Sequence, residues 1–132
     1  MCPAFLRVVN SLGLHGRSYN ICDPATFALV TVWAVLLGPA CEEILFRGFG
    51  VGYLIARGVD RWAAGGIAMI LFVLMHWPYF GPGGMLLVLP FSVLVTVLRI
   101  TSGNLTPGLL FHMMNNIGAF LVGPMLWARG GA

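Results

Sequence analysis

Lysine is absent from the 132 residues, and charge of either sign is scarce: seven arginines stand against four acids, 8% of the chain, while hydrophobic side chains make up 59%. A soluble domain carries roughly 25% charged residues, so an ordinary water-facing domain is excluded. The mean hydropathy of +0.93 puts the chain in a bilayer. At about 20 residues per helical span the length allows roughly four or five passes, with no room for a separate soluble domain. Three cysteines, Cys2, Cys22 and Cys41, are an odd number without metal-ligand or redox spacing and read as unpaired thiols. Internal repeats and low-complexity tracts are missing too. The N-terminus lacks the basic start, compact apolar centre and small-residue cleavage site of a signal peptide. Residues 1–23 are therefore expected to be retained as an interfacial segment ahead of a membrane core over 24–129.

What is present is a series of apolar runs. The first covers 25–38 and stops at Pro39, which lacks the donor that a helix interior needs. The second covers 41–56, the third 62–77, the fourth 85–100 with a kink expected at Pro90, and the fifth about 107–127. "RGVDR" at 57–61 is a polar turn, and "PYFGPGG" after the third run is a loop. The expectation is an all-α polytopic membrane bundle. Apart from Arg47, the arginines at 7, 17, 57, 61, 99 and 129 lie at or between the ends of these runs. The net charge of +3 therefore reports membrane flanks and not a nucleic-acid surface.

The four acids are Asp23, Glu42, Glu43 and Asp60, so half of the negative charge sits on one dipeptide between apolar runs. Glu43 and Arg47 are four apart, acid first, the favourable order for a pair on one helix face. Glu42 points about 100° away from them on an α-helix and has no local partner. His76 ends the third run, four residues after Phe72, and His112 and Asn116 are four apart in the fifth. An ionisable group at the bilayer centre costs about 2.5–3.5 kcal/mol on insertion scales, so such groups face a bundle interior or a wet cavity. These polar residues are expected to bury their polarity against one another.

The patterns "EEILFR" (42–47), "FVLMH" (72–76) and "HMMNN" (112–116), in this order and on separate apolar segments, resemble the three motifs of the CAAX protease and bacteriocin-processing (CPBP, or Abi) family. These are intramembrane glutamic endopeptidases related to type II CAAX prenyl endopeptidases. The resemblance covers about residues 25–127 and implies a metal-independent peptidase without a cofactor. It implies that Glu42 and His76 hold and deprotonate a water, that His112 and Asn116 aim donors at the developing oxyanion, that Glu43 and Arg47 form a fixed structural pair, and that Phe72 packs beneath His76. Substrates would be CAAX-type proteins or other membrane-associated peptides, and the favoured setting is peptide processing in a prokaryotic plasma membrane.

Simpler readings stand beside these. Glu43 with Arg47 neutralises itself as a buried pair; His76 beside Trp77, or His112 alone, reads as an interfacial residue. Asn115 reads as a packing residue between spans, and Cys41 has no neighbour in sequence that would activate its thiol. Two alternative functions remain at this level: a zinc hydrolase using Glu42, His76 and His112, without an H-E-x-x-H pattern, and a non-catalytic scaffold or immunity protein. Topology is also open. If 25–38 and 41–56 are separate antiparallel passes, Arg7, Arg17, Arg57, Arg61 and Arg99 share one side, which would then be cytoplasmic. His76 then lies about 20 Å from that side and His112 about 10 Å, by 1.5 Å of rise per residue. One long kinked helix over both runs is the other possibility.

Overall fold

The computed structural model describes residues 23–130. Within them every regular element is helical, and they form four rods: α1 (Pro24–Ala56), α2 (Arg61–Met75), α3 (Trp77–Ser102) and α4 (Thr106–Leu126). α1, α3 and α4 are long and apolar enough to cross a bilayer, and α2 is a shorter apolar helix. The chain is an integral membrane protein built as a helical bundle, as its composition requires. The expected interfacial segment, with Arg7, Arg17, His15, Cys2 and Cys22, lies outside the described residues except for Asp23. Cys41 is a free, exposed thiol.

Asp23 starts α1 by accepting hydrogen bonds from the Thr26 backbone N–H and hydroxyl, each 2.8 Å, with Pro24 in the first turn, where no donor is missed. Those bonds hold the Asp23 carboxyl below the usual carboxylate range. The first two apolar runs are then one helix, so the two-pass arrangement does not occur. The helix passes Pro39 because Thr31–Leu37 is wound wider than an α-helix: the Gly38 N–H reaches Trp33 O, five residues back. A second wide stretch, Glu43–Gly50, follows, and such π-type turns are how a helix absorbs an irregularity without ending. α1 ends at Ala56, where Gly58 N–H meets Ile55 O at 2.9 Å and Val59 N–H meets Leu54 O at 3.0 Å. Asp60 caps α2 through the N–H groups of Trp62 (2.8 Å) and Ala63 (3.2 Å).

His76 closes α2. The segment expected to be a loop is instead a helical turn, Gly81 and the start of the next helical stretch at Pro82. Gly81 has φ 61° and ψ −171°, a conformation open in practice only to glycine. The one departure from helical angles within α3 falls there and not at Pro90. After Gly103, Asn104 Oδ1 accepts from Thr106 N–H at 3.0 Å and starts α4.

The rods alternate in direction. Val51, Ala64, Ala68 and Ile100 form a core that ties α1, α2 and α3 together at one end, and Val35 with Leu121 packs α1 against α4 at the other. α2 approaches α3 through small residues: a Cβ on Gly65 would stand 3.0 Å from Thr96 Cγ2 and 3.2 Å from Ile100 Cγ1. Large apolar side chains such as Trp33, Phe49 and Leu86 are exposed on the outside, where lipid would lie.

Neighbouring turns are staggered. A Cβ on Gly48 would stand 3.2 Å from Leu105 Cδ1, so the α3–α4 turn is level with Gly48. Gly48 is about 12 Å inside the end of α1 at Ala56, by 1.5 Å of rise per residue. α4 thus starts deep in the bundle, which lowers His112 to the level of the glutamates despite its place only two turns from the start of its helix. Arg57 and Arg61 flank the bundle at this end, whereas Arg99, expected at a flank, turns inward and donates from Nε to Arg47 O at 3.0 Å.

Adjacent glycines on α2 separate packing from local propensity. Gly65→Leu is expected to force α2 from α3 and cost about 1–3 kcal/mol, whereas a Cβ on Gly66 meets nothing within 4 Å, so Gly66→Leu should leave stability nearly unchanged. Unfolding of the two variants in detergent, compared with the parent, checks this.

Candidate active site

The wide winding of α1 over Glu43–Gly50 carries the acidic motif into the bundle. Glu43 and Arg47 are buried, at 1% and 0% exposure. Glu43 Oε1 accepts from Arg47 Nη1 at 3.4 Å, and Arg47 Nη2 donates to Ser92 Oγ on α3 at 2.7 Å. The Phe72 ring from α2 covers the guanidinium at 4.1 Å from its centroid, a cation–π contact favoured where water is excluded. One residue pair on α1 is thereby engaged by α2 and α3 at once.

α4 adds the third partner. His112 is buried, and its Nδ1 lies 2.9 Å from Glu43 Oε1. An ionised carboxylate only accepts, so Nδ1 carries the proton. The opposite nitrogen, Nε2, faces Glu42 Oε2 at 3.5 Å. Glu42, which has no partner on its own helix, thus faces one from α4. An imidazole offers nitrogens on two edges, and this one stands between the two carboxylates. The two acids differ in setting: Glu43 is sealed in the ion pair, while the Glu42 side chain keeps 28% of its surface exposed. α4 comes this close because Gly108 leaves room: a Cβ there would stand 3.1 Å from Val95 Cγ1 and 3.6 Å from Glu43 Oε2. Glu43 Oε2 and Arg47 Nε have no hydrogen-bond partner among the described residues.

His76 sits at the mouth of the same cluster. Its Nδ1 donates to Phe72 O at 2.8 Å, which leaves Nε2 with a free lone pair. Its ring is 4.5 Å from Phe72 and stacks on Phe80 at 5.8 Å, and Phe72 is also 6.1 Å from His112. Phe72 thus packs against His76, Arg47 and His112. Glu42 is within electrostatic reach of both histidines, and no direct hydrogen bond joins it to His76.

Asn116 reaches across to α1. Its Nδ2 donates to Ala34 O at 2.8 Å, and its Oδ1 accepts from Asn115 Nδ2 at 3.3 Å. Two bonds fix the amide plane and leave one N–H unassigned. Asn115 is exposed and bonds to its neighbour on the same helix, so it does not serve as a bridge between spans. Sequence reasoning missed Ser92, Arg99 and Phe91, whose ring meets His112 edge-on at 4.7 Å. Only Ser92 left a signal, as one of two hydroxyls, with Thr96, in the apolar run 85–100. Among the described residues no three His, Cys, Asp or Glu side chains are grouped to hold a metal.

Compared with known families, residues 24–118 match the one described as Type II CAAX prenyl endopeptidase Rce1-like. Comparisons with curated proteins and with solved structures gave no significant match.

The buried pair makes a stability prediction. Arg47→Ala leaves the buried Glu43 charge without its guanidinium, a loss of about 3–5 kcal/mol, so low yield and early unfolding are expected. Glu43→Gln combined with Arg47→Met removes both charges and should recover part of that loss. Ser92→Ala, which removes one partner of the guanidinium, should cost about 1–3 kcal/mol. Thermal unfolding of the three purified variants and the parent measures all three effects.

Proposed function

The chain belongs to the type II CAAX prenyl endopeptidase Rce1-like family, and on that premise we propose that it is an intramembrane glutamic endopeptidase that cleaves a membrane-associated peptide or CAAX-type protein. The observation that carries this reading is the division between the two glutamates around one imidazole. Glu43 is buried and bound by Arg47; Glu42 is more exposed and faces the Nε2 edge of His112 at 3.5 Å. Only Glu42 is placed to exchange a proton with water.

In this reading a water lies between Glu42 and the free Nε2 of His76. Glu42 takes its proton as the water oxygen attacks the scissile carbonyl carbon, and the C=O electron pair moves onto oxygen. The remaining N–H of Asn116 and Nε2–H of His112 meet that oxyanion, a contribution of about 3 kcal/mol for each such donor in acyl-transfer enzymes. With Nδ1–H already directed at Glu43, His112 donates to the oxyanion only when Nε2 carries a proton as well. The tetrahedral intermediate then collapses, the C–N bond breaks, and Glu42 returns its proton to the leaving amine. Glu43, Arg47 and Phe72 orient the reacting groups.

The reading takes the water without a metal or cofactor, and the lipid-facing exterior delivers substrate from the bilayer of a prokaryotic plasma membrane. Zinc bound by Glu42, His76 and His112 is the competing chemistry, and metal analysis of active protein with chelator treatment distinguishes it. A peptide library with and without prenylated cysteine, incubated with the protein in liposomes and read by mass spectrometry, tests the activity. Glu42→Gln should abolish cleavage while insertion and thermal stability persist. Asn116→Ala should lower kcat roughly 100-fold with little change in KM, the signature of a donor used in the transition state. Undiminished cleavage by Glu42→Gln would point to the scaffold reading, with the activity due to a contaminant.

A further inference from the structure

Ala34 O has no backbone donor within its own helix. In an α-helix it would accept from the N–H of residue 38, but the Gly38 N–H is spent on Trp33 O. In the wider register it would accept from residue 39, which is proline and has no N–H. A carbonyl stranded in this way inside a membrane bundle costs free energy until a donor reaches it, and the donor here is Asn116 Nδ2 at 2.8 Å. Gly38 makes the wide register possible, since a Cβ there would press to 2.9 Å from Trp33 O.

We propose that Pro39 is a positioning residue: by withholding its N–H three residues before Glu42, it leaves the Ala34 carbonyl free to hold Asn116. The Pro39 side chain is itself fully buried. The tether joins α4 to α1 on the same stretch that carries both glutamates, so the spacing between Asn116 and Glu42 is set by the backbone of α1. The inference rests on the proposed role of Asn116 for its effect on turnover, while the tether itself has a separate readout.

The test uses the whole chain in nanodiscs, with Pro39→Ala, which restores an N–H, and an ester variant in which the α-hydroxy analogue of alanine replaces Pro39, with alanine's side chain but no donor. The side-chain amide of Asn116, identified by its loss in Asn116→Ala, is followed by 15N-edited NMR. The expected result is that the hydrogen-bonded amide proton moves upfield in Pro39→Ala and keeps its parent position in the ester variant. In parallel, kcat falls tenfold or more in Pro39→Ala with KM unchanged, the ester variant recovers it, and Pro39→Ala adds no further loss to Asn116→Ala. An Asn116 signal unmoved by Pro39→Ala overturns the proposal, and so does an equal effect of the alanine and ester variants, which would assign the effect to the proline ring. A signal that moves as expected while Asn116→Ala retains full turnover upholds the tether and removes Asn116 from the chemistry instead.

Discussion

The structure depends on one buried ion pair and its obligations. Taking Glu43 and Arg47 out of water costs several kcal/mol per ion before any attraction is counted, and their own contact at 3.4 Å is a long one. The deficit is met from three other helices: Ser92 from α3, the Phe72 ring from α2 and His112 from α4 all converge on the pair. Each helix that answers is fixed in depth and rotation by doing so. The pair acts less as glue than as a register mark, since a bundle of apolar rods in lipid has little else to choose one alignment over its neighbours.

The register mark also explains the site. His112 is oriented by its bond to Glu43, and the same orientation turns its other edge toward Glu42. A sealed acid thereby aims an imidazole at a more exposed one. The free nitrogen of His76 is then a consequence of where α2 ends, at a histidine whose Nδ1 is tied to Phe72 O.

Backbone irregularity serves the same end. α1 is wound wide on both sides of Pro39, and wide turns bring carbonyls and side chains to angles that a regular helix does not offer. The α4 segment facing it, Ile117–Val122, is wound wide as well and runs into its own glycine–proline step at Gly123 and Pro124. The two widened stretches meet through Val35 and Leu121. Helical continuity through Pro39 is kept at the price of a stranded carbonyl, and this is where Asn116 binds.

The sequence by itself determined the solvent, the helical class and the residues that had to meet. Scarce charge and long apolar runs leave no other medium, and the bilayer leaves no other secondary structure for chains of this pattern. The cost of isolated ionisable groups in apolar helices requires Glu42, Glu43, Arg47, His76, His112 and Asn116 to find partners, and the local pair Glu43–Arg47 follows from their spacing. Tertiary structure alone decided that Pro39 does not end a helix, because whether a proline is bridged or breaks the chain depends on what supports the wide turn from outside. It alone decided that the α3–α4 turn rises to Gly48, which places His112 beside the glutamates. Spacing along one helix sets rotation about that helix only, whereas the relative depth of two helices comes from contacts such as Leu105 on Gly48 and Arg99 on Arg47 that join residues more than fifty positions apart.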